Sequence, residues 1–324
     1  MISFFDFLLD MTNPVLSFLP KALIIAVLAA TLCGIVGTHV VLRGMAFIGD
    51  AVAHAVFPGI AIAFVLGGSL VAGGAIAGVS VAVLVAVLSQ HRRIKEDALI
   101  GILFAGAFAV GVIVISTSQA YSASLSSFLF GSITGVTNWD IAVTAGIGML
   151  VLTPLMVWHK HLTMVALDRE MARAMGLPVM LLDILLYTCV AGAVVISVRT
   201  IGNVLVLALL VAPPAAARML TDRMVPMMAL AATLGGAGSF FGLYFSWALD
   251  IPTGASIVCV LTLIFIVLFL LAPRRGLLTA RFQPNRAIPS SEETNLPART
   301  TAREQAKVPA REETNVPARE TARC

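Results

Sequence analysis

The 324-residue chain is 59% hydrophobic and only 12% charged, roughly half the charged fraction of an average soluble domain. Its mean hydropathy is +0.98, and its charges gather in short clusters that leave apolar stretches near the ~20 residues a membrane-spanning helix requires. These values exclude a soluble globular domain. The net charge of +4 sits at the ends of apolar runs and in the C-terminal tail, so it gives no reason to expect a nucleic-acid partner.

An all-α, polytopic integral membrane helix bundle of eight or nine transmembrane helices follows, with a disordered C-terminal tail. Residues 1–19 lack the basic start of a signal peptide and carry Asp6 and Asp10, so they read as a short amphipathic lead-in helix. The membrane domain covers 20–275. Candidate spans fall near 20–42, 45–66, 69–90, 97–117, 138–158, 179–198, 201–220, 226–248 and 254–272. Pro213 and Pro214 are expected to break the seventh near its end, and eight spans plus a re-entrant piece is the alternative. Cys33, Cys189 and Cys259 lie singly in apolar runs and Cys324 is terminal; with no CxxC pair, neither a disulfide framework nor a thiolate metal site is indicated.

Counting nine spans places "HRRIK" (91–95), "HKHLTMVALDREMARAMG" (159–176), "TDR" (221–223) and "PRR" (273–275) on one side. That side is expected to be cytoplasmic, with the N-terminus outside and the C-terminus inside. The opposite loops are nearly uncharged apart from Arg199, and "SLSSFLFGSITG" (124–135) is expected to fold partly back onto the bundle. The tail, 281–324, is rich in Pro, Arg, Glu and Thr, and "EETNLPART" (292–300) returns as "EETNVPARE" (312–320). Such a composition cannot build a core and reads as a disordered cytoplasmic extension.

Within the second span, "FIGDAVAHAVFPG" (47–59) carries Asp50 and His54 in an otherwise apolar run. Residues four apart share one helix face, about 6 Å apart at Cβ. Counted from Arg43, they lie roughly 10 and 16 Å deep. Ionisable groups at that depth cost about 2.5–3.5 kcal/mol unless paired or wet, which makes them functional candidates. An imidazole nitrogen with a carboxylate oxygen suits Zn, Mn or Fe(II). Pro58 removes the hydrogen bond to the His54 carbonyl and should kink the helix, and broken helices at mid-membrane are where transporters place ion sites. A plain Asp–His hydrogen bond between helices is the competing reading. Two ligands do not fill a transition-metal shell, so a second copy, a partner protein or water would supply the rest. His39, one turn before Arg43, is expected to snorkel or cap at the cytoplasmic edge.

The cytoplasmic stretch "LTMVALDREMARAMGLP" (162–178) should be helical from about Asp168 and stop at Gly176 and Pro178. A short amphipathic helix there suits docking onto a soluble partner; an interfacial helix lying on lipid is the alternative.

Taken together, these stretches resemble the permease subunit of bacterial metal-ion ABC importers, the zinc/manganese/iron family. The resemblance covers about 20–272. It rests on "VVLRGMAFIGDAVAHAVFPGIAIAF" (40–64), "EDALIGILFAGAFAVGVIVIS" (96–116), "ALDREMARAMGLP" (166–178) and "IGNVLVLALLVAPPAAARML" (201–220), four blocks in order. It implies a permease homodimer in the bacterial inner membrane, two cytoplasmic ATPase subunits and an extracytoplasmic metal-binding protein. It also implies a metal site at Asp50 and His54 and an ATPase-coupling helix carrying Asp168, Arg169, Glu170, Ala172, Arg173 and Gly176. The repetitive tail and His39 depart from the family pattern. No GxxxxGK[ST] loop is present, so ATP hydrolysis is expected from a separate subunit and the chain itself is not an enzyme. No permanently bound cofactor is expected; the metal, Mn, Zn or Fe, is cargo. A proton-coupled secondary carrier, a permease for a metal chelate and an intramembrane metalloenzyme are the rival readings.

Overall fold

A lipid core offers no water to backbone N–H and C=O groups, so apolar runs of this length must satisfy them internally as helices. The computed structural model describes residues 4–45, 48–90, 96–116 and 135–272, and all its regular elements are helical. In chain order these are α1 (Phe4–Asp10), α2 (Phe18–Leu42), α3 (Ile48–Ala55), α4 (Phe57–Val65), α5 (Leu70–Leu88), α6 (Glu96–Ser116), α7 (Asn138–Val157), α8 (His159–Leu167), α9 (Arg169–Ala174), α10 (Val179–Ile201), α11 (Asn203–Leu220), α12 (Met224–Leu249) and α13 (Thr253–Leu271). Six are long and apolar enough to cross a membrane: α2, α5, α7, α10, α12 and α13. Shorter apolar helices at 51–65, 98–114 and 205–220 complete the expected series. The stretch 124–134 and the tail from 273 onward lie outside the described residues.

The buried centre of the bundle is built on α2 and α10. Helix α2 packs against α12, α11, α7 and α10, and α10 packs against α5, α7, α2 and α3. Small residues set these distances, as expected where lipid supplies no hydrophobic drive between helices. A Cβ on Gly59 of α4 would overlap the Gly73 carbonyl oxygen of α5, and a Cβ on Gly73 would overlap the Gly59 carbonyl in return. Cys33 and Cys189 are buried at helix contacts, with Sγ atoms 3.6 Å from Ser197 Oγ and from the Val151 carbonyl.

Three expectations are corrected. Helix α11 runs unbroken through Pro213 and Pro214. The Leu210 carbonyl, to which Pro214 has no N–H to donate, lies directly against Gly37 of α2, so the two helices close over the gap in the ladder. The stretch before Asp168 is also helical, as α8, rather than a loop leading into a helix. His39 is 1% exposed, and among the described residues neither ring nitrogen has a hydrogen-bond partner, so it is packed inside the bundle instead of snorkelling.

The lead-in is tied down. Phe4 and Phe7 of α1 meet Phe240 and Tyr244 of α12 edge-on at 5.5–6.4 Å. Trp247 Nε1 donates to Asp10 Oδ2 at 3.0 Å. At the other end of α2, Arg218 at the end of α11 donates to the Val41 carbonyl at 3.1 Å, satisfying one of the orphan acceptors of a helix C-terminus. Arg43, Gln90, Arg169 and Asp183 gather at that same end, so the segments after α2, α5, α8 and α11 share one face of the bundle.

Candidate functional site

The second span is interrupted. Helix α3 ends at Ala55, Val56 stands as a turn, and Pro58 falls in the first turn of α4. This is the kink the proline dictates, placed directly after His54. Asp50 and His54 both belong to α3, one turn apart; the Asp50 side chain lies outside the described residues. The half-buried His54 ring is edge-on to Phe104 at 5.0 Å and 85°, and to Phe108 at 5.3 Å and 66°. These two phenylalanines stack on each other along α6 at 6.3 Å, and Phe57 adds a third ring 5.7 Å from Phe108.

An aromatic wall of this kind fixes the plane of an imidazole and keeps water from one side of it. The ring plane is thereby held by apolar packing, and an imidazole nitrogen is the atom that would meet a polar partner or a metal. Among the described residues no three or more His, Cys, Asp or Glu side chains come together to hold a metal. Phe104 and Phe108 are legible in the sequence only as an aromatic pair at i, i+4.

The second candidate site is α9. Asp168 is its N-cap, accepting from the backbone N–H of Glu170 at 3.0 Å and of Met171 at 2.9 Å. The Asp side chain thereby satisfies two of the donors that a helix start leaves free. Gly176 ends the segment at φ 78°. Ala172 is fully buried, whereas Glu170, Arg173, Met171 and Met175 face outward. Met171 and Met175, one turn apart, are 58% and 61% exposed, and Leu167 at the end of α8 is 73% exposed. Arg173 reaches Glu170 at 3.6 Å and donates to Gln90 Oε1 at 2.8 Å.

The sequence reading passes over Asp183, in the second turn of α10. It is fully buried and accepts from Arg43, Arg169 and Gln90. The rule that singles out Asp50, an acid inside an apolar run, applies equally here.

The model of the ABC 3 transport family matches residues 15–272, four fifths of the chain. The chain belongs to that family. Members are membrane transport subunits, so this is a multi-pass membrane permease and not an enzyme. It is 40% identical over 284 residues to the manganese transport system membrane protein MntC of Halalkalibacterium halodurans, covering 88% of this chain and 96% of that protein. It is 33% identical over 267 residues to the chelated iron transport system membrane protein YfeC of Yersinia pestis, covering 82% and 90%. Among solved structures it is similar to PsaBC from Streptococcus pneumoniae in complex with Fab, at a TM-score of 0.76 and 31% identity over 86% of this chain and 100% of that one. The family match begins at residue 15 and ends at 272, so it includes every span and leaves out α1 and the tail.

Proposed function

We propose that this chain is the permease subunit of an ATP-driven importer whose cargo is a divalent transition metal ion, Mn, Fe(II) or Zn, and that Asp50 and His54 on α3 form its transit site. His54 carries the reading: an imidazole at mid-span, beside a proline break, held edge-on by the rings of Phe104 and Phe108. A nitrogen and a carboxylate oxygen bind such ions with useful strength, and two protein ligands leave room for release. A second copy of the chain, a binding protein or water completes the shell. The relatives' names favour manganese and iron as cargo.

The permease works as a homodimer, with two cytoplasmic ATPase subunits and an extracytoplasmic metal-binding protein. Helix α9, with Asp168, Arg169, Glu170, Ala172, Arg173 and Gly176, docks on the ATPase. Its exposed Met171 and Met175 offer a soft, adaptable surface for that contact. The N-terminus lies outside and the C-terminus in the cytoplasm, because the basic segments at 159–176 and 221–223 belong to the end of the bundle that carries Arg43.

The test is radiolabelled Mn and Zn uptake by proteoliposomes holding this chain, its ATPase and its binding protein, with wild type and His54→Ala side by side. Uptake should require ATP and fall by about tenfold or more in the variant, since loss of a ligand costs at least what loss of a ligand's support does. Uptake driven by a proton gradient without ATP would establish a secondary carrier instead. ATP-driven uptake that survives loss of His54 would move the transit site elsewhere.

A further inference from the structure

Asp183 binds with both its oxygens. Oδ1 accepts from Arg43 Nη1 at 2.7 Å; Oδ2 accepts from Arg169 Nη2 and, at 3.4 Å, from Gln90 Nε2. Gln90 in turn accepts from Arg173. Four separate segments therefore meet at one carboxylate: the C-cap of α2, the turn after α5, helix α9 and the start of α10. The Asp183 side chain is 0% exposed and that of Arg43 7%, so the pair lies where water cannot replace either partner.

The Arg43 end of this cluster leads straight to the second span. Arg43 caps α2, Gly44 reverses the chain at φ 74°, and Met45 donates back to the Val40 carbonyl at 3.2 Å. Only a glycine adopts that φ without strain. Helix α3 starts three residues after Met45. One turn beyond Asp183 on the same face of α10, the fully buried Tyr187 donates its hydroxyl to Met45 Sδ at 3.6 Å. Tyr187 also lines, with Phe104, a small cavity against Ile48, Ala51 and Val52 of α3. Helix α10 thus holds both sides of the turn that delivers the chain into α3, by Asp183 on Arg43 and by Tyr187 on Met45. The same Asp183 holds α9.

We propose that Asp183 is the positioning residue through which displacement of α9 reaches α3, by the buried Arg169–Asp183–Arg43 link. This rests on the reading of α9 as the ATPase docking helix and of α3 as the metal-bearing span. A carboxylate held on opposite oxygens by two guanidinium groups resists separation in both directions. Moving α9 without α10 and the Arg43 turn would strand a buried charge, which low dielectric makes costly. Two arginines share one carboxylate, so loss of the Asp183 charge leaves two like charges facing each other and the link opens. Coupling of this kind needs a discrete packed element that both sites bias, and α10 with its two anchored residues is that element.

The experiment uses the assembled transporter in proteoliposomes, with ATP hydrolysis and Mn uptake measured in the same vesicles, and Mn binding and thermal melting measured alongside. Asp183→Asn keeps the shape and removes the charge. Asp183→Glu restores the charge with one more methylene, and Arg43→Lys keeps a charge while giving up the fork. In Asp183→Asn, ATP hydrolysis should stay within about twofold of wild type while the ATP consumed per Mn transported rises about five- to tenfold. Mn binding should be unchanged, and Asp183→Glu should recover part of the ratio. If Asp183→Asn does not assemble, the milder Arg43→Lys carries the same expectation at a smaller size. Parallel loss of hydrolysis and uptake, or an unchanged ratio in folded variants of an ATP-dependent wild type, would overturn the proposal alone. Wild-type uptake indifferent to the ATPase would overturn the underlying transporter reading and this proposal with it.

Discussion

The crossing of α4 and α5 should be intolerant of a single methyl group. A Cβ added at Gly59 would lie 2.5 Å from Ala77 Cβ and still closer to the Gly73 carbonyl oxygen. Ordinary contact is about 3.5–4 Å, and a backbone carbonyl cannot rotate aside as a side chain can. The helices would have to part by about 1 Å, which forfeits a quarter to a half of the dispersion energy along their contact. Overpacking of this kind costs about 1–3 kcal/mol. Gly73→Ala should cost a similar amount, because its Cβ meets the Gly59 carbonyl oxygen and Ala63 Cβ. The double variant should cost less than the sum, since one separation relieves both clashes. Gly106→Ala on α6 is the control: nothing lies within 4 Å of its added Cβ, so it should be neutral or slightly stabilising. Equilibrium unfolding in mixed detergent micelles measures all four. Gly59→Ala as stable as Gly106→Ala, or fully additive losses in the double variant, would refute the close-approach reasoning.

Three further outcomes are expected. Gly176 has φ 78° and no atom within 4 Å of an added Cβ, so Gly176→Ala should cost about 1–2 kcal/mol of backbone strain. Gly176→Leu should cost this chain no more than that, yet uncouple ATP hydrolysis from uptake, because the larger side chain meets only the docked ATPase; coupled uptake at the wild-type ratio would argue against docking at α9. Trp247→Phe removes the 3.0 Å hydrogen bond to Asp10 but keeps an aromatic ring against Phe18. Amides of Phe4–Asp10 should then exchange with deuterium roughly fivefold faster, the equivalent of about 1 kcal/mol, and unchanged exchange would show that aromatic packing alone holds α1.

Much of the fold was legible because the bilayer allows so few solutions. Apolar runs locate most of the helical segments of the bundle, Pro58 locates the break in the second span, and Asp168 with Gly176 brackets α9. What escaped the sequence depends on neighbours. Pro213 and Pro214 read as a helix breaker, but Gly37 brings α2 onto the freed Leu210 carbonyl and the helix continues. His39 reads as an edge residue, but its face of α2 turns into the bundle. Phe104 and Phe108 read as two more apolar residues of a span until α6 packs them on His54.

The sequence by itself determines that this is a helical membrane protein, which residues are too polar for their surroundings, and roughly where its apolar helices lie. These properties follow from composition, propensity and the missing solvent, each local to its own segment. Tertiary structure alone decides which polar residue meets which. Arg43, Gln90, Arg169 and Asp183 are up to 140 positions apart, and no pattern in the chain pairs them. They meet because glycine contacts and side-chain packing fix how the helices cross, and a carboxylate buried there without partners would be costly.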